Sequence, residues 1–283
     1  MNQQVETASA ENSLEINRLG SRSREFLIEN DAVIKQIQTA LHPLIFTASA
    51  NSEAIVVEGD PLALKLVSKV MNGMIEALSE GNSLGRSSAD AIIAKALDFA
   101  LKHELTRHLD GLLHPVRPMS MSQSAFLERL LSRNEKLLFG IGPTGTGKTH
   151  LAITAALNQL STSQVSRIVV SRPHIVLQGE IVTPDIRSDM ELDAQFEYLE
   201  DIFIDLIGYQ GFRNLLKDRK LELIPLGHLR GRTFNDSFII IDEAQNMTIK
   251  KMRMAVTRIG RGSRMIVTGD PSQADLLGDE PSG

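Results

Sequence analysis

The chain has 283 residues, 42% hydrophobic and 23% charged, an ordinary globular composition that excludes disordered, collagen-like and disulfide-stapled chains. With no cysteine, thiolate catalysis and cysteine-ligated zinc or iron–sulfur centres are excluded as well. The net charge of −5 means that any nucleic-acid surface must be a local patch.

Residues 1–13 (MNQQVETASAENS) are polar and read as a disordered tail without the basic and apolar regions of a secretory signal. No apolar run reaches the ~18 residues of a spanning helix, so the expectation is a cytoplasmic protein with no membrane contact. Residues 14–80 read as a small α/β domain. Asp31 is placed to cap a helix carrying Val33, Ile34, Ile37 and Leu41 at helical spacing, ended by Pro43. Residues 44–47 and 54–58 read as strands. Asp60 and Pro61 then stand at the cap and first position of a helix whose stripe is Leu64, Val67, Met71, Met74, Ile75 and Leu78. Residues 81–123 form a helical linker. Within it Ser87 and Asp90 resemble a capping box, the following helix carries Ile92, Ile93, Ala96, Leu97, Ala100, Leu101 and Leu105, and 114–123 are extended. From residue 124 to 283 apolar strands alternate with helices, the pattern of a parallel sheet covered on both faces. The expected strands are 136–141, 167–171, 221–226, 238–241 and 264–268.

Residues 142–149, GPTGTGKT, match G-x-x-x-x-G-K-[ST], between an apolar strand and the helix former HLAITAALNQL. Gly142, Gly145 and Gly147 let backbone N–H groups turn inward around phosphate oxygens, helped by the helix N-terminus. Pro143, Thr144 and Thr146 complete the loop. Lys148 would reach the β- and γ-phosphates and the Thr149 hydroxyl would ligate Mg2+, so ATP and Mg2+ are the expected cofactors. The strand FIIIDE (238–243) ends in two carboxylates, assigning Asp242 to the metal and Glu243 to the attacking water. In MIVTGDPSQAD (265–275), Gln273 is placed to contact the γ-phosphate or the water and so sense nucleotide state.

The motifs GPTGTGKT, IIIDEAQ and VTGDPSQ together resemble superfamily 1 helicase cores. Longer runs resemble the PhoH family of P-loop ATPases more closely: LLFGIGPTGTGKTHLA (137–152), VVSRP (169–173) with Gly179-Glu180, PLGHLRGRTFNDSFIIIDEAQN (225–246) and MRMAVTRIGRGSRMIVTGDPSQAD (252–275). This resemblance implies a RecA-like core, ATP hydrolysis, an RNA-linked role and a KH-like N-terminal domain. Carried over onto this chain, it assigns Gly142, Gly145, Gly147, Lys148 and Thr149 to nucleotide, Asp242 and Glu243 to metal and water, and Gln273 to the γ-phosphate. It also places Gln123 at the adenine-reading position, where an amide can bond both N6 and N7. Two departures stand out. Residues 185–205 carry eight acids and one base, Arg187, where the family has a Lys- and Pro-bearing segment. The sequence also ends 13 residues after Asp270, so the core is either truncated or lacks its last piece.

Residues 248–264 hold Lys250, Lys251, Arg253, Arg258, Arg261 and Arg264 without an acid, near Arg230 and Arg232. Two readings stand side by side: a salt-sensitive nucleic-acid groove, or an oligomer surface in which Arg258 or Arg261 reaches the next subunit's γ-phosphate within a homo-oligomeric ring such as a hexamer. The KH grip uses a GXXG loop, and none precedes residue 85; GYQG (208–211) lies in the ATPase half. HELTRH (103–108) is not a zinc helix, since its histidines fall about 140° apart. The acidic stretch reads as a solvated face or docking surface. The expected function is Mg2+-dependent ATP binding and hydrolysis coupled to RNA binding or remodelling. The alternatives are a true RNA or DNA helicase and a nucleotide-dependent scaffold with little turnover.

Overall fold

The computed structural model describes residues 13–16, 29–42, 44, 46–50, 54–59, 61–79, 86–173 and 196–274. The chain divides into two compact units, Met1–Thr106 with Arg117–Ser124, and Arg107–Val116 with Ala125–Gly283.

In the first unit, β1 (Ser13–Ile16), β2 (Phe46–Ala50) and β3 (Ile55–Gly59) form an antiparallel sheet in the order β1-β3-β2. Three helices, α1 (Asp31–Leu41), α2 (Pro61–Ser79) and α3 (Arg86–Phe99), belong to the same unit, and α3 runs into a π turn, Ala100–Glu104. The stripes read from sequence are the buried ones: Val33, Ile34, Ile37 and Leu41 on α1, and Leu64, Val67, Met71 and Met74 on α2. Gly73 lets α2 and α3 approach closely, since a Cβ there would stand 3.0 Å from Ile92 Cγ2. Ala89, Ile93, Ala96, Ala100 and Leu105 share this core. Two caps differ from expectation. Asn30, not Asp31, holds the cap position of α1, and α3 begins at Arg86, which puts Ser87 inside the helix rather than at its cap. Pro43 and Asp60 lie outside the described residues.

The second unit is built on five parallel strands: β4 (Leu137–Ile141), β5 (Arg167–Arg172), β6 (Leu221–Pro225), β7 (Ser237–Ile241) and β8 (Arg264–Gly269). Their order is β4-β8-β7-β5-β6. Side chains alternate between two faces with period two. Leu138, Ile168, Val170, Phe238, Ile240 and Ile266 enter one core with helices α5 (Lys148–Ser161) and α6 (Glu197–Lys217). Val169, Ile239, Ile241, Met265 and Val267 enter the other, with Leu229, Phe234, Met247 and, from α7 (Ile249–Val256), Ala255. Covering on both faces is why β5, β7 and β8 read as unbroken apolar runs, whereas on β4 Phe139 and Ile141 are exposed. A parallel sheet flanked by helices, with a phosphate-loop sequence at the end of one strand, is the RecA-like P-loop architecture. The remaining helix, α4 (Met121–Leu131), contributes Leu127 and Leu130 to the first of these two cores.

Arg264, counted from sequence among the surface bases, is 5% exposed. Its guanidinium donates to Leu130 O at 2.6 Å and Ser132 O at 2.7 Å, and so finishes the last turn of α4. Arg232 is likewise engaged, donating to Glu222 at 2.6 Å beside the Phe234 ring. Lys250, Lys251, Arg253, Arg230 and Arg261 are exposed. In the acidic stretch, residues 185–195 lie outside the described residues, as do Gly179 and Glu180; the rest form the first turns of α6. Gly208 (φ 75°) kinks that helix and leaves Tyr209 of GYQG exposed.

Candidate nucleotide-binding site

The site sits at the C-terminal ends of β4, β7 and β8, where ligands bind in open parallel sheets. After β4 the chain crosses Gly142–Gly147 and enters α5 at Lys148. Gly145 and Gly147 take φ of 77° and 80°, a left-handed backbone that L side chains rarely adopt. A Cβ on Gly145 would meet nothing within 4 Å, so backbone conformation and not space demands glycine there. Gly142 has no such φ. Its N–H instead donates to Gly269 O at 3.2 Å, extending the β4–β8 ladder, which corrects the reading of three equivalent glycines.

Lys148 Nζ donates to Gly142 O and Pro143 O, both at 2.7 Å, and Thr146 Oγ1 donates to Pro143 O at 2.7 Å. Thr144 donates twice across the strand ends, from N to Asp270 Oδ2 at 2.9 Å and from Oγ1 to Gln273 Oε1 at 2.7 Å. Gln273 therefore stands beside the phosphate loop, on a short 3-10 turn (Pro271–Gln273). Asp270 caps that turn, accepting from Ser272 N and Oγ. The Ser272 hydroxyl above all, with further bonds from Ser272 N and Thr144, holds the Asp270 carboxyl below its usual range.

Asp242 is 2% exposed at the end of β7. Its Oδ1 accepts from Thr149 Oγ1 at 2.6 Å and from Thr268 Oγ1 at 2.8 Å, and its Oδ2 accepts from Tyr198 OH. Burial first, and then the charge of Asp242, push the Tyr198 hydroxyl far above its ordinary pKa, so it stays protonated and donates. Among the described residues no cationic side chain pairs with this buried carboxylate. Nor do the described residues gather three or more His, Asp or Glu as a metal cage. One hydroxyl and one carboxylate, both hard oxygen donors, suit Mg2+, which keeps most of its waters and takes few protein ligands.

Glu243 follows with φ 54° and ψ 40°, left-handed without being glycine. Backbone strain of this kind clusters at functional sites. Its Oε1 lies 3.5 Å from Arg172 of β5, and its Oε2 accepts from Gln245 Nε2 at 2.5 Å. Gln245 turns its other end to the Asp270 N–H at 3.1 Å, tying the Glu243 turn to the Gln273 turn. Gly269 permits that contact, because a Cβ there would come within 2.9 Å of Gln245 Oε1. The residues around the cleft of about 260 Å³ include Thr144, Lys148, Thr149, Tyr198, Asp242 and Glu243.

The structure thus brings Lys148, Thr149, Asp242 and Glu243 to one cleft, with Gln273 bonded to its lining residue Thr144, from three separate segments. Gln123 lies on α4 within the first unit, where its side-chain oxygen accepts from Met119 N at 2.6 Å. Arg258 is bound to its own neighbourhood, donating to Met254 O and Arg232 O at 3.1 Å each. The Arg261 side chain is exposed. Sequence reasoning gave no role to Tyr198, Arg172, Thr268 or Gln245. Arg172 stands within VVSRP and Gln245 within IIIDEAQ, but nothing in either motif reveals the partner.

A profile described as PhoH-like protein matches residues 115–283. The chain belongs to the PhoH family. A PhoH-like protein of Mycobacterium tuberculosis (strain H37Rv) is 34% identical over 239 residues, covering 82% of this chain and 67% of that protein. The Bacillus subtilis PhoH-like protein is 32% identical over 263 residues, 89% of this chain and 79% of that one. Escherichia coli K12 Protein PhoH is 32% identical over 166 residues, 57% of this chain and 46% of that one. The PhoH-type match therefore reaches across both units in the longer alignments. Among solved structures, the Sulfolobus solfataricus SWI2/SNF2 ATPase core in complex with dsDNA aligns at a TM-score of 0.39 and 16% identity, over 58% of this chain and 34% of that one. That likeness is too slight to carry an argument. Among the described residues no helix is long and apolar enough to cross a membrane.

Proposed function

We propose that this PhoH-family chain binds Mg2+·ATP at residues 142–149 and hydrolyses it. The observation that carries this reading is the convergence of the Lys148 loop, the Thr149–Asp242 pair and Glu243 on one cleft. The backbone N–H groups of the loop and the start of α5 bind phosphate oxygens. Lys148 exchanges its two loop carbonyls for β- and γ-phosphate oxygens. Thr149 keeps its proton on Asp242 and turns its lone pairs to the cation. A Mg2+ ion held there would supply neutralisation of the phosphate charge. Glu243 turns from Arg172 to the attacking water and orients it in line. Gln273, reached through Thr144, registers the γ-phosphate, and the Gln245 bridge passes that state to the Glu243 turn.

RNA is the proposed partner coupled to this cycle. The exposed Lys250, Lys251 and Arg253 of α7, just beyond the Glu243 turn, support it by offering charge to phosphates. Assembly into a ring would supply an arginine in trans, and the exposed Arg261 suits that role better than the internally bonded Arg258. Steady-state phosphate release tests the reading, measured with and without single-stranded RNA across a range of protein concentrations. Lys148→Ala should lose nucleotide binding and Glu243→Gln should bind without turnover. Wild-type turnover in both variants overturns the site assignment. Binding without turnover in the wild type favours the scaffold alternative.

A further inference from the structure

We infer that Tyr198 is a positioning residue that competes with the divalent cation for Asp242. The inference rests on the reading of Asp242 as the metal-side carboxylate. A carboxylate offers about four lone-pair positions, two on each oxygen. Thr149 and Thr268 fill both on Oδ1, at 2.6 and 2.8 Å. Any water of a hydrated cation that bonds Asp242 must therefore approach Oδ2, where the Tyr198 hydroxyl already donates. The two threonines need not move. Thr149 donates a hydrogen bond to Asp242 while its lone pairs remain available, and Thr268 is wholly buried in β8. Tyr198 is the donor that can leave. It is the second residue of α6 and 37% exposed, so rotation of its side chain carries the hydroxyl toward solvent without unwinding the helix. Its ring also lies 5.0 Å from the Arg172 guanidinium, and Arg172 in turn holds Glu243. Withdrawal of Tyr198 thus removes a packing surface from the side chain that restrains the water-orienting carboxylate. Metal arrival at Asp242 and release of Glu243 become linked through one phenol.

The chain has two tyrosines and no tryptophan, so Tyr209→Phe leaves Tyr198 as the sole emitter. In that full-length background, Mg2+ is titrated at saturating, non-hydrolysable ATP analogue, with tyrosine emission and calorimetry read together. Emission should rise as the site fills, because a phenol bonded to a carboxylate is quenched. Tyr198→Phe should tighten apparent Mg2+ affinity about tenfold, equivalent to ~1.4 kcal/mol, while analogue binding in EDTA stays unchanged. A purely structural tyrosine would not move the Mg2+ dependence alone. Unchanged or weaker Mg2+ affinity in Tyr198→Phe, or flat Tyr198 emission while calorimetry registers Mg2+, overturns the inference. Loss of Mg2+-dependent binding in Asp242→Asn is the companion result expected of the underlying site. If the wild type shows no Mg2+-dependent binding at all, the functional reading itself fails.

Discussion

Replacing Arg264 by methionine tests whether a buried guanidinium can secure a helix end. Two short bonds run from it to Leu130 O and Ser132 O, and a longer one to Arg129 O at 3.4 Å. Hydrogen bonds involving a charged group contribute about 1.5–3 kcal/mol each, so the short pair supplies ~3–6 kcal/mol. Against this stands the cost of keeping a cation out of water, which also pulls the Arg264 pKa below its ordinary value. Leu130 O keeps one further donor, Gln159 Nε2 at 3.1 Å, but the bond to Ser132 O is lost. The expected net loss in Arg264→Met is about 2–3 kcal/mol, or roughly 5–10 °C in Tm. Arg264→Lys should fall about halfway, since one ammonium cannot replace a planar fork. Urea unfolding followed by tyrosine emission reports on the second unit specifically, because both tyrosines lie in it. An unchanged or higher midpoint for Arg264→Met would show that desolvation outweighs the carbonyl bonds.

A Cβ on Gly260 would lie 2.4 Å from Phe234 O, a backbone atom that cannot swing aside, whereas one on Gly227 meets nothing within 4 Å. Gly260→Ala should therefore lose about 2–3 kcal/mol and Gly227→Ala less than ~0.5 kcal/mol, with equal thermal midpoints refuting the steric account. Asp270→Asn should destabilise the chain at neutral pH. Because the folded-state pKa of Asp270 is depressed, its contribution is complete above the unfolded value near ~3.9 and is lost as pH falls through the folded value. The urea-midpoint gap to wild type should therefore be constant above about pH 5 and close on the acid side; a gap independent of pH would contradict the assignment. Glu243→Gln should slow single-turnover hydrolysis by about 10²–10⁴-fold while leaving the Kd for an ATP analogue nearly unchanged. A parallel loss of binding would place Glu243 in a nucleotide-binding role instead.

The strands β5, β7 and β8 of the second unit were legible almost to the residue because both of their faces are covered, and β4 because it too is an apolar run, LLFGI, although its Phe139 and Ile141 are exposed. Runs such as FIII and RMIVT then have one physical explanation, burial on alternate sides. The conformation of the loop after β4 was legible for a related reason: it is local, set by Gly145 and Gly147 in the left-handed region just before α5. What sequence could not show is long-range pairing. Tyr198 meets Asp242 across 44 positions and Thr144 meets Gln273 across 129. Arg264 illustrates the same limit from the other side. Its charge fits a surface patch by composition, yet its register on β8 turns it inward, where carbonyls 132 and 134 positions away receive it. The helix caps misread at Asp31 and Ser87 reflect a weaker cause, competition among several polar residues for one turn.

The position of β8 between β4 and β7 has a consequence for how the chain assembles as it is made. Among the described residues β4 pairs with β8 alone, matching Leu137 with Met265 and Ile141 with Gly269. On a ribosome, the strand that launches the phosphate loop therefore emerges well over a hundred residues before its partner. During synthesis β5, β6 and β7 can zip together first, since β5 pairs with both of the others. Non-local parallel pairing of this kind is slow to nucleate, because the long loop must close before any contact rewards it. Insertion of β8 joins β4 to the other described strands, seats Thr268 on Asp242 and delivers Asp270 to Thr144. On the proposed function, ATP affinity should therefore rise once β8 is inserted, and a chain cut before residue 264 should bind ATP more weakly than one that includes Asp270.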